Sequence, residues 1–138
     1  MADDAKENGF NIVAVSTYRS YEYQEKLYNN YVNDKGKYYA DMCSARAGHS
    51  EHQTGLAVDI ADLSLDYDNF EYTKEFIWVK ENAHKYGFIM RYPKAKFHIT
   101  GFKYEPWHYR YVGIEIATYI YENNLTLEEY KKITHKCN

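Results

Sequence analysis

The chain has 138 residues, enough for one domain with a hydrophobic core of its own. Hydrophobic residues make up 45% of it and charged residues 27%, which is typical of a globular protein. The net charge of -3 gives no reason to expect nucleic-acid binding, and no apolar run approaches the ~20 residues that cross a bilayer. We therefore expect no nucleic-acid partner, no membrane contact by this segment, and a monomer.

The N-terminal third is predicted to contain two helices and one strand. Residues 2–8 fit the end of a short helix, and the apolar, partly β-branched run at 10–15 predicts a buried strand. Ser20 is placed to cap a helix over 21–32, whose inward stripe recurs at four-residue spacing. The stripe consists of Tyr23, Leu27 and Tyr31. Residues 33–49 have no strong periodicity, which predicts a polar loop.

The middle of the chain is predicted to hold three strands and one long helix. Residues 56–60 form the first of these strands, and an acidic loop follows at 62–69. The helix spans about 73–86, and one of its faces is apolar. That face consists of Phe76, Val79, Ala83 and Tyr86. Short strands are then expected at 88–90 and 97–100.

The C-terminal part is predicted to be extended first and helical afterwards. Residues 104–111 should be extended, because Pro106 disfavours helical geometry in the residue before it. A helix over 113–122 directs an apolar set inward. The set consists of Ile116, Ala117, Ile120 and Tyr121. Thr126 and Glu129 then have the spacing of a capping box, which predicts one more short helix.

These elements predict an α+β fold in a single domain that covers residues 1–138. Strands and helices do not alternate regularly enough for a parallel array of βαβ units. We therefore expect a small, mostly antiparallel sheet with flanking helices packed against it.

The segment from Ser50 to Asp59 contains the most informative spacing in the chain. His52 and Asp59 lie seven residues apart, so a straight strand would direct their side chains to opposite faces. A turn at Thr54-Gly55 removes that constraint and lets the imidazole and the carboxylate converge. Nitrogen and oxygen ligands of this kind suit zinc, but two are too few for a site. The best candidate for a third is His108, in Glu105-Pro106-Trp107-His108.

These two motifs closely resemble those of the zinc D,D-/L,D-carboxypeptidases of the VanY type, in peptidase family M15B. Four other segments are similar to family signatures and occur in the family's order. They are Ser16-Thr17-Tyr18-Arg19-Ser20-Tyr21, Ser44-Ala45-Arg46, Asn82-Ala83-His84-Lys85-Tyr86-Gly87-Phe88 and Arg91-Tyr92-Pro93. The resemblance covers roughly residues 9 to 113, and in-order motifs over such a span are more specific than one pattern. It implies a Hedgehog/D,D-peptidase-like fold.

The resemblance also implies the roles of the site residues. His52, Asp59 and His108 would hold one zinc ion per chain and leave a fourth position open for water. Glu105 would be the general base that takes a proton from the activated water. Arginine suits an oxyanion or a carboxylate, and Arg19 matches the arginine of the first family motif.

Three further residues are candidate substrate contacts. The resemblance suggests that Gln24, on the helix after Arg19, lines the substrate cleft, and so does Ser44. Arg46 is a candidate for binding the substrate carboxylate, and a surface salt bridge is an equally good interpretation of that side chain.

The resemblance implies a zinc carboxypeptidase that removes the terminal D-alanine from peptidoglycan stem peptides or their precursors. Whether the bond cut is of the D,D or the L,D type stays open. One alternative is a zinc L-alanyl-D-glutamate endopeptidase of similar fold, and another is a zinc-containing cell-wall-binding module without catalysis. We expect a cell-envelope domain whose leader or anchor is absent from this chain, with the cytoplasm as the alternative. Cys43 and Cys137 are expected to be free thiols.

Overall fold

The structure, a computed structural model, describes residues 1–135 and contains one four-stranded sheet. The strands are β1 (Val13–Ser16), β2 (Ala57–Ala61), β3 (Phe88–Met90) and β4 (His108–Tyr111). All neighbours pair antiparallel, in the order β1-β2-β4-β3. The predicted α+β class, with a small antiparallel sheet and flanking helices, is confirmed. Within the described residues, no helix combines the length and the apolar character needed to cross a bilayer.

Seven α-helices accompany this sheet in the described part of the chain. They are α1 (Ala2–Glu7), α2 (Tyr21–Lys35), α3 (Lys37–Cys43), α4 (Lys74–Asn82), α5 (Phe97–Thr100), α6 (Ile114–Glu122) and α7 (Leu127–His135). Two predicted caps are confirmed. The hydroxyl of Ser20 accepts the backbone N–H of Tyr23 at 3.1 Å. Thr126 and Glu129 each accept the other's backbone N–H, as a capping box requires.

Side-chain alternation in the two central strands separates a core face from a cleft face. Ile60 and Tyr109 lie in the hydrophobic core, whereas their chain neighbours Asp59 and His108 line a cleft. Because successive side chains point to opposite faces of a strand, this arrangement follows directly from the sequence order. Asp59 is paired with His108 across β2 and β4. The sheet thus supplies two of the candidate ligands from directly opposed positions.

The core has two parts, one on each side of β3. The larger part joins the sheet to α4, and its buried residues are Ile60, Phe70, Phe76, Val79, Ala83 and Tyr109. The second part joins β3 to α6 and α7, and its buried residues are Ile89, Ala117, Ile120 and Leu127. Burying one large apolar side chain contributes about 1.5–3 kcal/mol. The predicted inward face over 73–86 is confirmed at Phe76, Val79 and Ala83, although α4 ends at Asn82 and residues 83–86 form a 3-10 turn in which Tyr86 is only partly buried.

The N-terminal third departs from the predictions in three places. The predicted buried strand at 10–15 is shorter and lies at the sheet edge, so Val15 is 37% exposed. Tyr23 is 60% exposed, and the buried residue of α2 is Gln24. The predicted loop at 33–49 contains α3, which is only seven residues long. Such a short helix gives too few turns for a hydrophobic period to be recognised.

Two departures occur in the C-terminal half. Residues 97–100 form the helical turn α5 rather than a strand, although Phe97 and Ile99 favour strands locally. Tyr121, expected to point inward, is 45% exposed and stacks on His84 at a ring separation of 4.1 Å. Cys43 is half-buried in the wall of the cleft, and Cys137 lies outside the described residues.

Candidate metal centre and cleft

A tight turn brings His52 to the two strand residues Asp59 and His108. Residues 51–54 form one turn of 3-10 helix, which ends at Gly55 in the left-handed conformation with φ of 71°. A side chain there would be strained, so glycine suits this position. The chain then enters β2 and reaches Asp59 after two more pairs of the ladder. The predicted turn between the imidazole and the carboxylate is present.

His52, Asp59 and His108 form a compact set of potential metal ligands, which we call the donor set. His52 Nε2 lies 3.2 Å from Asp59 Oδ1, and His108 Nδ1 lies 2.9 Å from the same oxygen. The other ring nitrogen of His52, Nδ1, is 2.6 Å from the carbonyl oxygen of Thr17. If that nitrogen carries the proton, Nε2 is left as a free donor atom. One ligand atom from each of the three buried residues lies within 4.8 Å of the others, so the set fits a metal ion.

Two of these groups have strongly shifted pKa values. Burial would raise the pKa of Asp59, but hydrogen bonds with His108 and His52 hold it well below its usual range. Burial would lower the pKa of His108, but the hydrogen bond with Asp59 and the nearby carboxylate of Glu51 raise it to about 9. The cluster therefore favours positive charge beside an ionised carboxylate. A metal ion bound there would take the place of the histidine proton.

Glu51 is a further charged residue of the site that sequence reasoning missed. Its Oε2 faces His108 Nε2 at 3.6 Å, and its Oε1 accepts the Nε–H of Arg91 at 2.8 Å. Arg110 approaches the same Oε1 at 3.4 Å. Burial would raise the pKa of Glu51, but the His108 contact and the charge of Arg91 lower it to about 2. The residues lie 40 or more positions apart in sequence, so no local pattern could have revealed the contact.

Glu105 is held beside the cluster by the turn that precedes β4. Its backbone N–H donates to Tyr92 at 3.1 Å, and its carbonyl accepts the N–H of His108 at 3.3 Å. The side chain is buried and lines the cleft. Burial raises the pKa of Glu105 to about 7, with the His108 charge opposing this and the Asp59 charge adding to it. A carboxyl group with such a pKa can both accept and release a proton near neutrality.

Arg19 is fixed at the edge of the donor set. It donates from Nε to Ser16 at 3.0 Å, from one terminal nitrogen to Gln24 at 3.4 Å, and from the other to Asp59 at 2.8 Å. A guanidinium has five N–H donors. The contacts within the described residues use three, so two N–H groups remain for a ligand in the cleft.

Gln24 and Ser44 also lie in the cleft wall, but the side chain of Gln24 is hydrogen-bonded to other residues of the protein. Its side chain is 1% exposed. Its amide nitrogen donates to Ser44 Oγ at 3.2 Å and to the carbonyl oxygen of Ala45 at 2.7 Å. Since its amide oxygen accepts from Arg19, both ends are engaged. Gln24 thus connects Arg19 to the segment at 44–45.

Arg46 does not reach the cleft in the described part of the chain. Its side chain is 57% exposed and makes a two-pronged ion pair with Asp41, with distances from 2.9 to 3.0 Å. It also lies over the ring of Tyr28. Of the two interpretations left open for Arg46, the structure has the surface salt bridge and not the cleft contact, with Asp41 on α3, the helix that sequence patterns did not predict.

The cleft that contains these groups has a volume of about 420 Å³. Its floor includes His52, Asp59 and His108, and its wall is built partly from α2 and α3. Five of the chain's 17 tyrosines line it. They are Tyr23, Tyr31, Tyr39, Tyr67 and Tyr92. Tyrosine rings offer flat apolar surfaces with a polar tip, which suits a ligand of mixed polarity such as a peptide.

Comparison with known proteins shows which family the chain resembles over most of its length. A family model described as VanY, D-alanyl-D-alanine carboxypeptidase, matches residues 1–114. The chain belongs to this family. Within it, YodJ of Bacillus subtilis is 50% identical over 133 residues, which cover 94% of this chain and 49% of that protein. A D-alanyl-D-alanine carboxypeptidase of Enterococcus faecalis is 42% identical over 137 residues, 93% of this chain and 50% of that protein. The chain thus spans about half the length of these curated relatives.

Solved structures of VanY-type proteins have the same fold. The LdcB LD-carboxypeptidase is 50% identical with a TM-score of 0.87, and the match covers 94% of this chain and 62% of that one. VanYB in complex with D-alanine-D-alanine is 41% identical with a TM-score of 0.84, covering 95% and 76%. A VanY D,D-pentapeptidase in complex with Zn(II) is also 41% identical, with a TM-score of 0.81. The resemblance inferred from the motifs is thereby confirmed.

Proposed function

We propose that this chain is the catalytic domain of a zinc-dependent carboxypeptidase that removes the C-terminal D-alanine from peptidoglycan stem peptides or their precursors. The observation that carries the proposal is the position of Glu105, a buried carboxyl group with a raised pKa, in one cleft with the donor set of His52, Asp59 and His108. The family's description and the named activities of its relatives support the same reaction.

The donor set suits zinc, at one ion per chain. Two imidazoles and one carboxylate are a common ligand set of catalytic zinc sites, and three protein ligands leave one position open. His52 would bind through Nε2 and His108 through Nδ1, because these are the ring nitrogens that face Asp59. When bound, zinc supplies Lewis-acid chemistry by polarising a carbonyl oxygen and making water more acidic.

Two side chains would transfer protons and bind a negatively charged oxygen of the substrate. Glu105 takes a proton from the attacking water as the new C–O bond forms at the scissile carbonyl carbon. It then returns a proton to the leaving amine as the C–N bond breaks, for which a pKa near neutrality is suited. The two free N–H groups of Arg19 point to a role in binding an oxygen of the substrate. That oxygen is either the developing oxyanion or the terminal carboxylate.

The alternatives predict different chemistry at this site. A zinc-containing binding module without catalysis would have no use for a buried carboxyl group beside its ligands, since burying it is unfavourable. An L-alanyl-D-glutamate endopeptidase would not require a free carboxylate at the end of its substrate. Because Arg46 is engaged with Asp41, Arg19 is the one of the two candidate arginines that is left for carboxylate recognition in the cleft.

Mass spectrometry of muropeptides tests the proposal. The zinc-loaded protein is incubated with pentapeptide and tetrapeptide muropeptides, and Glu105→Gln, which cannot take up the proton, is the matched control. Loss of one alanine from either substrate supports the proposal and identifies the bond as D,D or L,D. Release of a fragment from the interior of the stem would support the endopeptidase. No cleavage by the wild-type protein with zinc bound would contradict both enzymes. A peptidoglycan substrate would agree with a location at the cell envelope.

A further inference from the structure

A chain of charged side chains connects His108 to the C-terminal helix α7. Glu51 faces His108 Nε2 with its Oε2 at 3.6 Å, while its Oε1 accepts the Nε–H of Arg91 at 2.8 Å. Arg91 then donates from its two terminal nitrogens to the two carboxylate oxygens of Glu128, at 3.0 and 2.5 Å. Glu128 lies in the first turn of α7. The contacts join four segments that are distant in sequence.

This series of charged side chains is partly shielded from water, unlike most surface ion pairs. The side chains of Arg91, Glu51 and Glu128 are 11%, 17% and 28% exposed. The two parallel hydrogen bonds between Arg91 and Glu128 form a bidentate pair, which fixes the relative orientation of the guanidinium and the carboxylate better than a single hydrogen bond does. Exposed ion pairs contribute little, whereas in a partly buried network the loss of one partner leaves the remaining charge poorly compensated. The arrangement therefore restrains the orientation of Glu51.

Glu51 faces Nε2 of His108, the ring nitrogen that points away from Asp59. The Nδ1 of His108 faces Asp59 and the donor set, so the proton must be on Nε2 when Nδ1 binds a metal. Among the described residues, His108 Nε2 and Glu51 Oε2 are both buried, have no hydrogen-bond partner and face each other at 3.6 Å. Metal-binding histidines typically donate their second N–H to a carboxylate, which fixes the ring and strengthens the ligand.

The start of α7 is itself firmly held. Leu127 is part of the second core cluster, and Thr126 and Glu129 form the capping box of the helix. Glu128 lies between these anchors, so its carboxylate is presented to Arg91 by a fixed turn. The family match ends at residue 114, before α7 begins. No family motif therefore draws attention to this helix.

We propose that Glu128 is a positioning residue of the metal site, acting through Arg91 and Glu51 on the ring of His108. The inference depends on the proposed binding of zinc by His52, Asp59 and His108. It makes α7 a support of the metal centre in addition to its packing against the core. Arg110 also contacts Glu51, at 3.4 Å, so loss of Glu128 leaves Glu51 partly held.

Zinc affinity, measured by competition with a chromophoric chelator, tests this role without using activity. Glu51→Gln should weaken zinc binding by about 10- to 100-fold, the usual effect of losing a ligand's outer partner. Glu128→Gln should weaken it by about two- to thirtyfold, which is typical of a residue that acts through others in a network. In the double variant, the Glu128 substitution should add less than about twofold, because its route through Glu51 is already lost.

Glu129→Gln is the matched control. It neutralises a carboxylate in the same helical turn and breaks the ion pair with Lys96, but glutamine still completes a capping box. Its zinc affinity should equal that of the wild type, and urea denaturation of each metal-free protein reports on the fold. A Glu128→Gln protein that is less stable yet binds zinc normally would contradict the inference, as would additive losses in the double variant. Absence of zinc binding by the wild type would overturn the proposed function together with this inference.

Discussion

Replacing Glu105 by glutamine should stabilise the metal-free protein, and more so at pH 8 than at pH 5. The folded protein raises the pKa of this carboxyl group from 4.5 to about 7. Between these values the unfolded chain releases the proton and the folded chain keeps it, so the free energy of unfolding falls as the pH rises. Glutamine keeps the shape of the side chain but has no proton to release. It removes this loss of stability.

The size of the effect follows from the shift. At about 1.4 kcal/mol per pKa unit, the raised pKa of Glu105 lowers the free energy of unfolding by about 3 kcal/mol at pH 8 and by about 1 kcal/mol at pH 5. Burying the amide has its own unfavourable free energy, but that does not change with pH and cancels in the comparison. The gain from Glu105→Gln should therefore be about 2 kcal/mol larger at pH 8 than at pH 5.

Urea denaturation of metal-free protein at the two pH values measures this difference, with unchanged slopes showing that the compactness of both states is preserved. Glu75→Gln, which alters a buried glutamate at the start of α4, is the control for replacing a buried carboxyl group elsewhere. Added zinc should reduce the pH dependence of the difference between Glu105→Gln and the wild-type protein, because a nearby cation favours the ionised carboxylate. An equal gain from Glu105→Gln at both pH values would refute the reasoning.

Four other outcomes are expected. Purified protein should bind one zinc ion per chain, and His108→Ala should lose most of its affinity; unchanged binding in atomic absorption measurements would exclude His108 as a ligand. Glu105→Ala should keep its zinc while kcat falls by about 10²–10⁴-fold in steady-state assays, and loss of zinc would instead make Glu105 a ligand. Amidation of the substrate's terminal carboxylate should slow cleavage by about tenfold or more, whereas equal rates would favour the endopeptidase. Thr126→Ala should lower the free energy of unfolding by about 1 kcal/mol through loss of the cap, and an unchanged urea midpoint would contradict that role.

The sequence predicted the floor of the cleft better than its wall. His52, Asp59 and the turn between them were recognisable because ligand chemistry requires particular residue types at a workable spacing. Once the strands are assigned, period-two alternation puts Asp59 and His108 on the face opposite Ile60 and Tyr109. These features depend on local order, so a single sequence reveals them, whereas the pairing of Asp59 with His108 joins positions 49 residues apart and was not predicted.

The wall depends on contacts between distant segments and was mostly missed. Tyr23 was assigned to the core because it shares a helical period with Leu27, but helical spacing cannot distinguish a core from a cleft. The position of Arg46 depends on a short helix that gives no periodic signal. The contact of Glu51 with Arg91, a charged hydrogen bond, joins two segments that are 40 positions apart in sequence. In each case tertiary structure selects one of several locally acceptable partners.

The two sides of the cleft differ in how freely they can change during evolution. Two of the three candidate ligands, Asp59 and His108, lie on β2 and β4, the central strands, whose opposite faces pack in the core. The helices α2 and α3 bury only Gln24 and Ala40 among their described residues. Most substitutions on those two helices therefore leave the packing density of the interior unchanged and fall within about ±0.5 kcal/mol. Selection can vary that wall to fit a new peptide terminus while the donor set stays where it is, a route by which one scaffold diversifies its substrates.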